Sequence, residues 1–272
     1  MRHTYKFVIV LLCLVATLGV IGSANLILQP EKPNNNINTT PPDNSGESEV
    51  LPPEIPPAPA IVYDRLIKIN VASVYLLSQK SSVSKVIGKV NKNDMLPLIA
   101  EDNYYYQTIF NHQVAYIAKN SNVSVAYFEK SSNAVEKVIE EAKKLIGVPY
   151  LLGAERYHWG NGIKNPNFTK YLFDCSSFTQ YVYYKSNYIL LDTTSRSQSV
   201  QGWNVSKNNI KRGDLMFFTN SVRYNKVGIE RIGHVAIYLG NNYIIHTSSD
   251  YAIIEPISST RWGYYISTKR FI

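Results

Sequence analysis

One cysteine in the C-terminal half of the chain has the placement of a nucleophile. Cys175 follows the first residue of the segment Asp174–Val182, where apolar side chains recur at helical spacing, which predicts the cysteine at the first turn of a helix. The unpaired N–H groups and the dipole of a first turn favour a thiolate, so we expect a lowered thiol pKa. Taken alone, a lone cysteine is more typical of a small buried apolar residue. The functional interpretation therefore depends on finding a base and a group that orients it.

Two histidines near the C terminus have the spacing to supply that base and its orienting partner. In the run 233–246, two segments rich in apolar residues flank Gly240-Asn241-Asn242. This pattern predicts a β-hairpin with a three-residue turn at 240–242. In this register Ala236 lies opposite His246, and His234 becomes a diagonal neighbour of His246 on the same face. A two-residue turn would put the histidines on opposite faces. Two histidines on one face are harder to interpret as ordinary core residues than one.

A further helix is predicted before the cysteine. Asn133 is placed as its N-cap, with Glu136 completing a capping box. The apolar residues that follow on one face are Val135, Val138, Ile139, Ala142, Leu145 and Ile146. Gly147 and Pro149 are expected to end this helix, whose role is structural.

The order of these segments resembles that of the NlpC-type bacterial cell-wall peptidases, which are papain-like cysteine enzymes. The matching residues are Gly147-Val148-Pro149-Tyr150, Gly153, Asp174-Cys175-Ser176, Arg212-Gly213-Asp214-Leu215, Gly233-His234-Val235 and Ile245-His246. The resemblance implies an α+β fold, with helices packed on an antiparallel sheet, for a domain at 129–272. It also implies a peptidase that cleaves peptidoglycan stem peptides, typically between γ-D-glutamate and the diamino acid, without a metal or another cofactor.

The same resemblance assigns roles to individual residues. It implies Cys175 as nucleophile, His234 as general base and then acid, and His246 as the orienting third member of a triad. Tyr150 matches a tyrosine placed near the oxyanion site, where the Cys175 N–H would be the other donor. The positions that the resemblance implies for the substrate cleft are Asp174, Ser176 and Ser195. Trp159, in an adjoining insertion, is a further candidate for substrate binding.

Three departures from the family pattern leave the subsite preference open. Ser177 stands where the family usually has glycine after Asp-Cys-Ser, and Ala154 replaces a second glycine. The segment 151–174 is also longer than is usual, and it contains Trp159. This insertion is either a wall or lid of the cleft or a plain surface loop.

Residues 61–128 are predicted to form a small all-β barrel, because short alternating runs are separated by polar turns. Examples of these runs are Leu66–Val71, Val83–Val90, Met95–Ile99, Tyr104–Phe110 and Val114–Ala118. The region resembles the bacterial SH3-like wall module, with Tyr105 where that family usually has tryptophan. This resemblance implies binding of wall peptide or packing against the catalytic domain.

The N-terminal residues predict export. Arg2 and Lys6 precede an apolar stretch of signal-peptide character, so residues 1–28 are expected to be a cleaved signal or a retained membrane anchor. Residues 29–60, rich in proline and asparagine, are expected to be a disordered linker. The protein is therefore expected to act outside the cytoplasm, in the periplasm or cell wall, and as a monomer.

Composition narrows the remaining function classes. The chain of 272 residues has only two cysteines, Cys13 and Cys175, which excludes a disulfide scaffold and a cysteine-rich zinc site. Residues 61–272 hold 25 Lys and Arg against 15 Asp and Glu, which favours a polyanionic neighbour. Export argues against nucleic acid and in favour of wall polymers or anionic lipid. The alternatives to the endopeptidase are a wall amidase on a similar scaffold and a non-catalytic wall-binding protein.

Overall fold

Two antiparallel sheets and four α-helices make up the part of the chain that the computed structural model describes, residues 60–248 and 250–272. The strands of the N-terminal part are β1 (Tyr63–Ile69), β2 (Ser73–Leu77), β3 (Val86–Asn91), β4 (Met95–Pro97), β5 (Ala100–Glu101), β6 (Tyr105–Phe110), β7 (Gln113–Ala118) and β8 (Val123–Glu129). The remaining elements are α1 (Asn133–Lys143), α2 (Cys175–Asn187), α3 (Ser195–Gln198), β9 (Trp203–Val205), β10 (Leu215–Phe218), β11 (His234–Gly240), β12 (Tyr243–Thr247), β13 (Ala252–Pro256), α4 (Ser259–Gly263) and β14 (Tyr265–Arg270). The predicted α+β class is confirmed.

The larger sheet has nine strands in the order β8-β1-β4-β13-β12-β11-β10-β14-β9. Helix α2 packs on β11 and β12 at the middle of this sheet, and α1 packs against α2. Strand β10, the neighbour of β11, is buried along its whole length. The packing of α2 on this part of the sheet therefore holds residues of α2 and β11 close together.

The N-terminal part is all-β, as predicted, but some of its strands belong to a sheet that continues into the C-terminal part. Strands β1, β4 and β8 belong to the larger sheet, and the connection is the pairing of Met95 in β4 with Ile254 in β13. The other strands of this part form a separate five-stranded sheet. The strands named from the sequence leave out three that the structure contains, β2, β5 and β8. The SH3-like identity and the boundary at 128 stay predictions.

Helix α1 begins one residue earlier than the predicted capping box implies. Its N-cap is Ser132, whose hydroxyl accepts the N–H of Val135 at 3.4 Å. The placement of Asn133 as N-cap was wrong, because Ser132 is a cap-forming residue directly before it. Glu136 instead accepts the N–H of Ser131 at 2.8 Å and binds Arg212.

Arg212, from a motif singled out in the sequence, is part of a buried ion-pair cluster. Its guanidinium binds Asp64 of β1 at 2.8 Å and Glu136 of α1 at 2.8 Å. Lys143 donates to the other oxygen of Asp64 at 2.7 Å. Removing one partner of such a buried cluster leaves an uncompensated charge, so these contacts fix β1 and α1 to the segment that enters β10.

Gly147 carries a stability prediction because it has both a left-handed backbone and no space for a side chain. Its φ is +85°, and a Cβ atom would lie 2.6 Å from the Asn111 nitrogen and 2.6 Å from the Phe110 ring. We expect Gly147→Ala to lower the free energy of unfolding by about 2 kcal/mol or more, measured by urea denaturation. Gly160→Ala is the matched control, since Gly160 has a φ of +91° and nothing within 4 Å of that position. Equal losses in both variants would contradict a role for the close approach.

None of the helices within 60–248 and 250–272 has the length and apolarity that a bilayer crossing requires. The predicted signal or anchor and nearly all of the predicted linker lie outside the described residues. Export therefore stays a prediction.

Candidate active site

Cys175 is the first residue of α2, as the spacing of the sequence predicts. Asp174 caps the helix: its Oδ1 accepts the N–H groups of Ser176 at 3.1 Å and Ser177 at 2.8 Å. In return, the Ser177 hydroxyl accepts the N–H of Asp174 at 2.9 Å. This reciprocal capping box fixes the first turn and the direction in which the thiol leaves the helix. The serine that departs from the family pattern thus has a structural function.

The two histidines lie together on the strands that α2 covers. Nε2 of His234 on β11 is 2.9 Å from Nδ1 of His246 on β12, and the two rings are nearly perpendicular. His246 is fully buried, whereas His234 is half-buried and faces a cleft. The pair is therefore shielded on one side and open on the other.

The hairpin reaches the predicted arrangement of histidines by a different turn. Gly240 pairs with Tyr243 across a two-residue turn of asparagines with positive φ, and the register shifts between Tyr238 and Gly240. This bulge at Leu239 restores the register in which Ile237 pairs with Ile245. The expected three-residue turn was wrong, but the bulge adds the missing residue, and both histidines still share a face.

Cys175 lies beside the strand that carries His234. Backbone N–H groups of Val235 and Ser176 point at its sulfur, and Val235 directly follows His234. Burial raises the pKa of the Tyr150 phenol, and the nearby Cys175 and Asp174 raise it further. Nucleophile, histidine pair and tyrosine are thus brought together from α2, β11, β12 and the loop before α2.

The expected lowering of the Cys175 pKa is contradicted by its surroundings. Burial and the neighbouring Asp174 carboxylate raise the pKa of the thiol to about 11, and they outweigh the N–H groups that point at the sulfur. Burial also holds the pKa of His234 well below its ordinary value, with further lowering from His246 and Arg261. Both pKa shifts favour a neutral thiol and a neutral imidazole at neutral pH.

Alkylation of Cys175 by iodoacetamide should report this protonation state. With a pKa of about 11, the rate should increase about tenfold per pH unit through pH 9. It should stay below the rate of a cysteine in an unstructured peptide at neutral pH. The rate is measured from the mass of the peptide that contains Cys175. A plateau of fast alkylation already below pH 7 would contradict the neutral thiol.

Asp174 and Ser176 flank Cys175 in the chain, and three of the four predicted substrate-binding residues are buried. Both carboxylate oxygens of Asp174 already accept hydrogen bonds from the protein. Oδ1 caps α2, and Oδ2 accepts from the N–H of Gly153 at 3.1 Å and from Arg156 at 2.9 Å. Ser176 is buried and hydrogen-bonds Asp174, and Ser195 is buried at the start of α3. Their substrate roles stay predictions.

The segment 151–174 is anchored on α2 rather than free of it. The Gln180 side chain donates to the carbonyl of His158 at 3.1 Å, and Tyr157 packs against Tyr181 and Tyr184. Trp159 is 63% exposed at the tip of this segment and does not line the cleft at the histidines. Its predicted contact with substrate stays a prediction.

A cleft of about 670 Å³ opens over the histidine pair. Its walls come from both parts of the chain: Asn91 and Asp94 from the N-terminal part, Tyr150, Phe218, Asn220, His234, His246, Asp250, Tyr251, Glu255, Arg261 and Tyr264 from the rest. Burial raises the pKa of Asp94 to about 6. The cleft thus joins the N-terminal part to the candidate site.

Sequence reasoning missed Glu255 and Arg261. Oε1 of Glu255 is 3.0 Å from Nε2 of His246 and 2.8 Å from the Arg261 guanidinium. A signal was present, because Glu255 is the one charged residue in the apolar strand β13 that follows the second histidine. The pairing of that strand with β12 was not considered.

One group of acidic side chains in the described ranges has oxygens close enough to share a cation: Asp64, Glu136 and Glu140. Lys143 and Arg212 already bind these oxygens. This group is remote from the cleft at the histidines and belongs to the buried ion-pair cluster.

Cys175 begins a helix that packs on an antiparallel sheet, and two neighbouring strands of this sheet carry the histidine pair. This arrangement is that of the papain-like α+β domains. Residues 153–270 match the NlpC/P60 family, so the chain contains a domain of that family.

Relatives of the chain are named as cell-wall peptidases. It is 30% identical over 189 residues to a gamma-D-glutamyl-L-lysine dipeptidyl-peptidase of Bacillus cereus, covering 68% of this chain and 51% of that protein. It is 30% identical over 132 residues to the peptidoglycan DL-endopeptidase CwlO of Bacillus licheniformis, covering 48% and 26%. The chain thus spans about half or less of these relatives. A crystal structure of an NlpC/P60 family protein from Bacillus cereus is 26% identical, with a TM-score of 0.41, covering 76% of this chain and 63% of that one.

Proposed function

We propose that the protein is an exported peptidoglycan hydrolase, a thiol endopeptidase that cleaves an amide bond within the stem peptide. The observation that carries this proposal is the 2.9 Å contact between His234 and His246 on the strands beside Cys175. Nucleophile, base and orienting group are the three parts that covalent thiol hydrolysis needs. The names of the relatives support peptidoglycan as the substrate.

The protonation states determine the order of the steps. The Cys175 sulfur attacks the amide carbon while its proton passes to His234, which gives an anionic tetrahedral intermediate. Because Nε2 of His234 faces His246, the nitrogen left for this proton is Nδ1. The Cys175 N–H and the Tyr150 hydroxyl are the donors proposed for the oxyanion.

His234 then acts as an acid. It returns the proton to the departing amine, the C–N bond breaks, and a thioester to Cys175 remains. Water attacks this thioester with His234 again as base, and the C–S bond breaks. His234 returns the proton to the sulfur, and the product leaves as a carboxylic acid. The γ-D-glutamyl–diamino acid bond is the proposed site of cleavage, in line with the name of the Bacillus cereus relative.

Location and charge fit the same proposal. A basic exported chain encounters acidic wall polymers, and its positive charge raises their local concentration. We propose extracytoplasmic action as a monomer, released or tethered by residues 1–28. The cleft's lining by Asn91 and Asp94 supports a contribution of the N-terminal part to substrate binding.

The experiment is digestion of purified peptidoglycan by the chain, with the products weighed by mass spectrometry. The endopeptidase gives fragments cut inside the stem peptide. An amidase would instead release the whole stem from the glycan, and a wall-binding protein would release nothing while still sedimenting with the wall. Either of those two outcomes would overturn the proposal.

A further inference from the structure

Glu255 extends the histidine pair into a row of four hydrogen-bonded side chains. It lies on β13, where it pairs with Ile244, two residues from His246 on β12. Its Oε1 atom is 3.0 Å from Nε2 of His246 and 2.8 Å from the guanidinium of Arg261 at α4. The row therefore runs from His234 in the cleft, through the buried His246, to Glu255 and Arg261.

The hydrogen bonds of this row leave one arrangement of protons. A carboxylate only accepts hydrogen bonds, so Nε2 of His246 must carry a proton. His246 is fully buried, and burial lowers its pKa, so the ring is neutral and its Nδ1 carries none. Nδ1 then accepts, and Nε2 of His234 must be the donor across the 2.9 Å contact. A neutral His234 is left with an unprotonated Nδ1.

We propose that Glu255 is a positioning residue that selects the tautomers of both histidines and so makes Nδ1 of His234 the base. This inference rests on the proposed function, because the base matters only if Cys175 is the nucleophile. Glu255 acts through His246, which it hydrogen-bonds at 3.0 Å. Without the carboxylate, no acceptor decides which nitrogen of the neutral His246 carries the proton. If it were Nδ1, then Nε2 of His234 would have to accept, and the His234 proton would lie on Nδ1, the nitrogen that must take the proton of the thiol.

Arg261 keeps Glu255 in the form that accepts. Burial raises the pKa of Glu255, but the hydrogen bond from His246 and the Arg261 charge outweigh burial, so the net pKa lies below its ordinary value. The other charged group that faces this carboxylate is Asp94, whose pKa it helps to raise. Glu255 is thus ionised throughout the neutral range. During attack its charge also favours the imidazolium that forms on His234, transmitted through His246.

The first arm of the test reads the protons directly. In the full chain carrying Cys175→Ala and ¹⁵N-labelled histidine, NMR shifts should show His234 and His246 both protonated at Nε2 and not at Nδ1 near neutral pH. His246 protonated at Nδ1 would overturn the proposal. This arm needs no substituted Glu255 and no substrate, so it remains decisive if a variant fails to fold.

The second arm measures hydrolysis of a defined stem peptide. Glu255→Leu should lower kcat on the order of 10²-fold with little change in KM, and it should mix the tautomers in the NMR spectrum. Glu255→Gln keeps an acceptor and should recover a large part of the loss. Glu129→Gln, an exposed acidic residue at the end of β8, is the control and should match the parent chain.

The outcomes separate this inference from the proposed function. Full kcat in Glu255→Leu, with the tautomers unchanged, would overturn the positioning role. Absence of stem-peptide hydrolysis by the parent chain, with both histidines protonated at Nε2, would overturn the proposed function and leave the control of the tautomers standing.

Discussion

Replacement of Cys175 by alanine should abolish release of fragments from the stem peptide, with a loss on the order of 10⁴-fold or more. Without sulfur there is no acyl-enzyme, and the remaining donors can only polarise the substrate for attack by water. Cys175→Ser should be nearly as inactive, because the buried site that holds a thiol neutral disfavours an alkoxide still more. The measurement is kcat/KM on a defined stem peptide.

The control for this prediction is stability. The thiol makes no hydrogen bond that holds the capping box of α2, which is built from Asp174, Ser176 and Ser177. Far-UV circular dichroism and the unfolding midpoint of Cys175→Ala should therefore match those of the parent. Turnover that survives in this variant would show that another group is the nucleophile.

Replacement of His234 should cost more than replacement of His246. His234→Asn removes both the base and the acid, and we expect kcat/KM to fall on the order of 10²–10⁴-fold. His246→Asn or His246→Gln keeps a polar acceptor for Nε2 of His234, so measurable activity should remain. The difference follows from exposure: both histidines line the cleft, but His234 is half-buried, whereas His246 is fully buried.

The histidine prediction has its own check on folding. An amide at position 246 must still satisfy Glu255, so unfolding midpoints of all variants are compared first. If folded His246→Asn proved as inactive as folded His234→Asn, the division of roles between the two histidines would be wrong.

The position of the nucleophile and the common face of the histidines were predictable because both depend on local signals. Helical spacing and a capping residue place Cys175, and strand alternation places His234 and His246. The turn was predicted incorrectly, yet the face was right, because the bulge at Leu239 restores the count of residues. The alternation of a strand thus predicted the face on which the histidines lie, although the length of the turn between the strands was predicted incorrectly.

Features that depend on distant pairing were not predictable in this way. The pairing of Met95 with Ile254 joins the N-terminal part to the central sheet, and nothing in either strand specifies that partner. Glu255 was missed for the same reason, since its meaning comes from the strand beside it. The pKa of Cys175 was predicted in the wrong direction because the helix start was visible in the sequence, but burial and the orientation of Asp174 were not.

The most direct test of the central claim is covalent labelling with a stem-peptide analogue that carries a diazomethyl ketone in place of the scissile amide. The full chain is incubated with this compound, and the labelled residue is identified by peptide mass mapping while the remaining activity is followed. We expect one label, on Cys175 and not on Cys13, in proportion to the loss of activity, and no label in His234→Asn. Inactivation with the label on another residue, or full activity with Cys175 labelled, would contradict it.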